Sequence, residues 1–335
     1  MLETPARLAR AAYGALRPVA DRSLLLSFDR LGYRLHALAF REDDLDVDMG
    51  GRVCLVTGAN SGIGWETARA LAVRGAEVWL LCRNLERGGA AAEEIRREAG
   101  HDRIHLARLD VSEVDSVRAF VERFPSERVH VLVNNAGVLP DERQETSDGI
   151  ELTFATNVLG PWLLTHLLRP KLAKAAPARV VNVSSGGMYA VRFRPDDTQW
   201  KKRPFDGVSA YAETKRAGVI LTGLWAEGLR GEGVAVHAMH PGWADTPAVR
   251  SSLPRFHQVT RAILRTPEEG ADTVVWLACS GAVAASTGRL WFDRSPQSPY
   301  WLPWTRESRD DREALWRRCR ELADVAPEEA PLPAP

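Results

Sequence analysis

The sequence has little with which to cross-link itself or to hold a metal. Its four cysteines, Cys54, Cys82, Cys279 and Cys319, lie far apart with no Cys-x-x-Cys pair. That excludes a disulfide framework and a cysteine zinc site and suits a reducing cytosol. The eight histidines form no metal pattern: His101 and His105 have helical ligand spacing but flank a loop-to-strand transition, where that spacing brings nothing together. Charge of one sign is also missing, because 44 basic residues balance 44 acidic ones. Without a global positive field, nucleic acid is a poor partner. No run of about eighteen apolar residues occurs, which argues against a membrane-spanning helix. What is present is a hydrophobic fraction of 45% over 335 residues, ample for a globular core.

The N-terminal segment, residues 1–48, reads as a helical extension. Met1 to Arg41 carries seven arginines against three acids. Leu24, Phe28, Leu31, Leu35 and Leu38 repeat at spacings of four and three, an apolar stripe on a helix that Asp21 could cap. Three readings are open: packing against the body or a second subunit, peripheral contact with an anionic membrane, and an Arg-rich transit peptide.

From residue 49 to 295, short apolar runs alternate with amphipathic helical patterns. Val53–Val56, Val78–Leu81, Ile104–Leu106, Val129–Val133, Val180–Val183 and Val234–His237 read as buried strands. The alternation predicts one doubly wound α/β domain of the Rossmann type, a parallel sheet of seven strands with helices on both faces. Residues 296–335 form a C-terminal extension with a charged helix from about Arg306 to Ala323. Its Pro-rich end, from Pro327, is expected to be disordered.

The first strand runs into Thr57-Gly58-Ala59-Asn60-Ser61-Gly62-Ile63-Gly64, and a helix pattern opens at Trp65. Glycines at a strand-to-helix turn let the backbone approach a pyrophosphate, and the helix N-terminus adds free N–H groups and a positive dipole end. This Thr-Gly-x-x-x-Gly-x-Gly spacing resembles the short-chain dehydrogenase/reductase family. The resemblance extends to Asp110-Val111, where it implies adenine contacts, and to Asn135-Ala136-Gly137, where it implies support of the sheet beside the ribose. It also extends to Pro241, Gly242 and Thr246, where it implies that the nicotinamide carboxamide is held. Charge argues for the phosphorylated cofactor. The second strand ends Leu81-Cys82-Arg83-Asn84, with Arg83 where a ribose-binding carboxylate would stand and the nearest acid, Glu86, a turn into the next helix. A 2′-phosphate wants such a cation, so NADP(H) is expected over NAD(H).

Five tyrosines occur, and only Tyr211 has a lysine, Lys215, four residues on, which places both on one helical face. A phenol titrating near pH ~10 is a poor proton donor at neutral pH unless a neighbouring ammonium, with an oxidised nicotinamide nearby, favours the phenolate and lowers that value. The family resemblance completes a tetrad. Ser185, ending the strand Val180–Ser185, matches the substrate-orienting serine, and Asn157 matches the asparagine whose backbone holds a water linking Lys215 to solvent.

Ser185 and Tyr211 are 26 residues apart, about double the family's usual separation. The insertion, Met188 to Ser209, holds Phe193, Trp200 and Phe205 beside Lys201, Lys202 and Arg203. It resembles the retinol-dehydrogenase-like branch, which implies lipophilic alcohols, aldehydes and ketones as substrates. Pocket walls are expected from Val138–Ser147, Gly186–Ser209 and Thr246–Leu264, with Met188, Tyr189, Trp243 and Phe256 supplying apolar surface. An oxidoreductase acting on a carbonyl or alcohol is the leading reading. The alternatives are a nucleotide-binding scaffold without turnover, which would have no need of all four tetrad members, and an epimerase or dehydratase, which would carry a larger domain after the sheet. The helix from Gly207 to Leu229 is a candidate homodimer surface.

Overall fold

The computed structural model describes residues 27–333. Eight strands form one sheet: β1 (Val53–Thr57), β2 (Glu77–Cys82), β3 (Ile104–Arg108), β4 (Val131–Asn134), β5 (Ala178–Val183), β6 (Val234–Met239), β7 (Arg289–Phe292) and β8 (Ser295–Gln297). Their order is β3-β2-β1-β4-β5-β6-β7-β8, and the first seven run parallel. β1 is buried along its whole length, as expected of a strand covered on both faces.

The eighth strand departs from the expected seven. It folds back antiparallel on β7 through the two-residue turn Asp293-Arg294, both with positive φ (46° and 56°). A left-handed pair matches the twist of a hairpin but costs about 1 kcal/mol or more per non-glycine residue. Here Arg265 pairs with both Asp293 oxygens (2.6 and 2.8 Å) and Arg294 pairs with both Asp272 oxygens (2.8 and 2.6 Å), which offsets that cost. Distant partners decide the turn, and no Asn-Gly signal announces it.

The helices are α1 (Arg30–Ala37), α2 (Gly62–Val73), α3 (Leu85–Ala99), α4 (Val114–Arg123), α5 (Gly160–Lys174), α6 (Gly207–Gly228), α7 (Pro247–Ser252), α8 (Pro254–Thr260), α9 (Pro267–Cys279) and α10 (Arg309–Leu322). Buried α4, α5 and α6 side chains form a core on one face of the sheet, and α2, α3 and α9 form another on the opposite face. Local signals set the ends. Thr266 and Glu269 form a capping box that starts α9, Ser308 and Asp311 another that starts α10, and Gly100 closes α3 in the left-handed conformation.

Both extensions lie against the body. α1 starts at Arg30 with Asp29 as its cap, while Leu24 and Asp21 lie outside the described residues. Its inward residues are Gly32 and His36; Leu31, Leu35 and Leu38 stay exposed at 57%, 38% and 49%. The buried pairing of His36 Nδ1 with Asp293 at 2.5 Å orients the helix, so Leu31, Leu35 and Leu38 face outward while Phe28 of the same stripe is buried in the body. At the other end, residues 327–333 are ordered, contrary to their composition. Ala330 is buried and its carbonyl accepts from the Trp316 indole at 3.1 Å. Trp316 sits edge-on to Trp162 and Trp225, so the tail seals an aromatic cluster that needs a lid.

Candidate active site

The C-terminal ends of β1, β4 and β5 bring the site residues to one cavity of about 540 Å³. Gly58, Asn60, Ser61, Gly62, Ile63 and Gly64 line one part of it. Gly58 has φ +65°, and a Cβ on Gly64 would collide with Asn135 Nδ2 and stand 2.5 Å from the Gly58 carbonyl oxygen, so the turn closes only with glycine there. Ser61 makes no side-chain cap, so the first amides of α2 are left to the cavity. Thr57 Oγ1 accepts from the amides of Asn135 and Ala136 at 2.9 and 3.0 Å, and Asn135 Nδ2 donates to the Thr57 carbonyl at 2.9 Å. The glycine turn and the Asn135-Ala136-Gly137 segment are thereby one rigid unit. A cradle of close-approach glycines and unspent amides fits a dinucleotide pyrophosphate.

At one end of this cavity stand Arg83, Asn84, Arg87, Asp110 and Val111. Arg83 is 69% exposed and its guanidinium lies 3.7 Å from Asp110, whose other oxygen accepts from the Ser112 amide and hydroxyl. Arg87, in the first turn of α3, also lines the space. No sequence signal singled it out, because Arg83 lies ahead of the Asn84 cap and helical spacing does not relate the two.

Ser185, Tyr211 and Lys215 line the same cavity, together with Pro241, Gly242 and Thr246. Lys215 Nζ donates to the Val183 carbonyl at 2.9 Å, and the Ser184 hydroxyl donates to the Lys215 carbonyl at 3.0 Å. Asn157 stands behind them in a π-helical turn, Ala155–Leu159, a local geometry frequent at functional sites. Its side chain accepts from the Val138 amide at 2.9 Å and donates to the Val138 carbonyl at 3.1 Å and to Thr214 Oγ1 at 2.9 Å. Thr214 in turn donates to the Tyr211 carbonyl at 2.7 Å, an unforeseen link. A small cavity of about 20 Å³ lies beside Asn157, Lys215, Asn182 and Asn134. It has room for one water, and Asn134 Oδ1 is buried with no partner among the described residues.

Burial sets the charge states. It pushes the Lys215 ammonium down to about 8. It also raises the Tyr211 phenol above its ordinary value, with a hydrogen bond to Ser185 pulling the other way. Desolvation is the larger of the two effects, so the phenol stays protonated at neutral pH.

The pocket walls are Val138, Leu139, Val208, Trp243, Val249, Leu253 and Phe256. The insertion is a correction. Met188 and Tyr189 are buried in a separate cluster with Phe28, Leu290 and Phe292, and Phe193 is buried in the sheet core. Arg203 stacks on Trp200 at 3.5 Å and bonds both Asp197 and Glu213, which pins the middle of the segment to α6, and only Gly187 and Val208 at its two ends line the cavity. Its aromatic residues found partners inside the protein, which spacing could not foretell.

Residues 52–255 match the family described as short chain dehydrogenase. The chain belongs to the short-chain dehydrogenase/reductase family and is an oxidoreductase of the hydride-transferring kind. Within that family it is similar to dehydrogenase/reductase SDR family member 12 of Homo sapiens, 45% identical over 280 residues, which covers 82% of this chain and 87% of that protein. Retinol dehydrogenase 11 of Mus musculus is 38% identical over 257 residues, 74% of this chain and 79% of that one. The solved Pseudomonas aeruginosa RhlG/NADP active-site complex matches with a TM-score of 0.60 at 26% identity, over 72% of this chain and 94% of that one.

Proposed function

We propose that the protein is an NADP(H)-dependent carbonyl reductase or alcohol dehydrogenase for lipophilic substrates. The observation that carries this reading is one continuous cavity. Arg83 and Arg87 stand at one end, the glycine turn, Ser185, Tyr211 and Lys215 lie along it, and Leu139, Val208, Trp243, Leu253 and Phe256 supply apolar wall. Arg83 and Arg87 would take the 2′-phosphate and the Gly58–Gly64 turn the pyrophosphate, while Pro241, Gly242 and Thr246 would hold the nicotinamide end. Bound nicotinamide supplies or accepts the hydride. Ser185 donates a hydrogen bond to the substrate oxygen and polarises the carbonyl. Tyr211, protonated in its buried setting, gives its proton to that oxygen during reduction and removes it during oxidation. Lys215 stabilises the phenolate so formed, and Asn157 braces the loop at Val138 that closes the site behind them.

The test is NADPH consumption with straight-chain aldehydes of increasing length, retinal and small charged keto acids. Turnover should rise with chain length and be absent for the keto acids. Tyr211→Phe should lower kcat by roughly 10²–10⁴-fold while still binding the dinucleotide. Phe256→Ala should flatten the dependence on chain length. Dinucleotide binding with no turnover of any carbonyl or alcohol would favour a scaffold, and turnover confined to keto acids would overturn the lipophilic assignment.

We also infer that the outer face of α1 rests on a membrane surface. Leu31, Leu35 and Leu38 are exposed along it, with Arg34 beside them at 69% exposure. Among the described residues no helix is long and apolar enough to cross a membrane.

A further inference from the structure

Phe28 lies just before α1, more than 150 residues from any tetrad member but Asn157, and is 1% exposed. Its ring meets Trp243 edge-on at 6.1 Å and tilts against His240 at 4.8 Å. The ring also packs on Gly186, the residue after Ser185: a Cβ there would collide with Phe28 Cε2. Its carbonyl accepts from the Trp243 amide at 2.8 Å and from Arg265 Nε at 3.0 Å. A Cβ on Gly242 would stand 2.7 Å from that same oxygen.

Phe28 therefore touches two turns that face the cavity from different elements, one carrying Ser185 and the other Gly242 and Trp243. The segment is itself held firmly. Arg265, fully buried, donates to the carbonyls of Ser27, Phe28 and Asp29 and pairs with both oxygens of Asp293. An aromatic ring fixed on this scaffold behaves as a rigid spacer, because interiors packed this densely transmit rather than absorb displacement.

We propose that Phe28 is a positioning residue of the active site, a wedge that sets the spacing between Ser185 and the Gly242–Trp243 turn. It acts on the reacting atoms only through those turns. Hydride and proton transfer depend on that spacing, since a misplacement of about 1 Å can cost on the order of a hundredfold in rate. This rests on the hydride-transfer reading of the site.

The experiment compares wild type, Phe28→Ala, Phe28→Leu, Gly186→Ala and the double variant Phe28→Ala/Gly186→Ala, using whichever of NADPH and NADH binds. Three quantities are measured: dinucleotide affinity, the fluorescence lifetime of the bound dihydronicotinamide, and, with an aldehyde accepted by the wild type, kcat with its 4-deuterium isotope effect. Phe28→Ala should bind the dinucleotide within about threefold of wild type, because it leaves the glycine turn untouched. Its bound lifetime should shorten toward that of free dinucleotide, its kcat should fall at least about tenfold and its isotope effect should rise. A merely destabilised protein has fewer active molecules with unchanged lifetime and isotope effect. Phe28→Leu should lie between, and serves if the alanine variant does not fold. Gly186→Ala should be impaired alone and improved by adding Phe28→Ala, since the two groups compete for one space. Lifetime and isotope effect equal to wild type in both Phe28 variants would overturn the proposal. If the wild type reduces no aldehyde, the substrate assignment fails, and the lifetimes and the Gly186→Ala comparison of binding decide on Phe28.

Discussion

The Nζ of Lys215 donates to the carbonyl of Val183 at 2.9 Å, two residues before Ser185. The ammonium is thus fixed by a strand end inside the protein, no carboxylate among the described residues pairs with it, and burial brings its value down to about 8. In this role the charged form stabilises a Tyr211 phenolate. Reductive kcat should therefore hold level below about pH 8 and decline as pH rises through it. Lys215→Arg, which keeps its proton, should move the break upward if it retains activity. A wild-type profile flat to pH 10 would contradict this assignment.

Cofactor choice should rest on two cations. A charge-assisted contact to phosphate contributes about 1.5–3 kcal/mol, so Arg83→Asp should raise the Michaelis constant for NADPH by roughly ten- to a hundredfold and leave that for NADH nearly unchanged. Arg87→Ala should add to the loss. Equal effects on both dinucleotides would sink the assignment.

The C-terminal tail should contribute to stability. Removing residues 326–335 takes away the Ala330 carbonyl and the cover over Trp316. The expected loss is about 1–3 kcal/mol, read as a lower midpoint in urea. An unchanged midpoint would mean that the aromatic cluster of Trp162, Trp225 and Trp316 closes without it.

Membrane contact should depend on the outer leucines of α1. The intact protein should float with vesicles of anionic lipid and release in high salt, while Leu31→Glu/Leu35→Glu should stay in solution with its turnover of a soluble aldehyde unchanged. If the variant instead converts a dimer to a monomer and vesicle binding is absent from both proteins, a second copy covers this face.

A buried histidine provides an acid-stability check. His237 accepts from the Trp291 indole at 3.1 Å, and burial drops its value to about 4. The unfolded chain takes up the proton first, so stability falls as pH drops from about 6.5 toward 4. The loss by pH 4.5 is on the order of 2–3 kcal/mol. His237→Gln should reduce that slope in urea unfolding at pH 7 and 4.5.

Much of the site was legible because its signals are local. A glycine turn needs its residues adjacent in the chain, and a Tyr and a Lys on one helical face need only a spacing of four. The strands announced themselves as apolar runs because both faces of the sheet are covered. The family resemblance supplied the remaining order, with Asn157 and Ser185 ahead of Tyr211.

What the tertiary structure alone decided concerns residues whose partners lie far along the chain. The leucine stripe of α1 faces outward because His36 finds Asp293, 257 residues away. The insertion aromatics leave the pocket because Asp197 and Glu213 hold Arg203, and Ala330 is ordered because Trp316 needs a cover. Phe28 read from sequence as one apolar position in a stripe, and the fold sets its ring against Gly186 and its carbonyl against Gly242. Periodicity reports which side of an element is apolar, whereas the partner of a buried charge or ring is chosen by where the whole chain closes on itself.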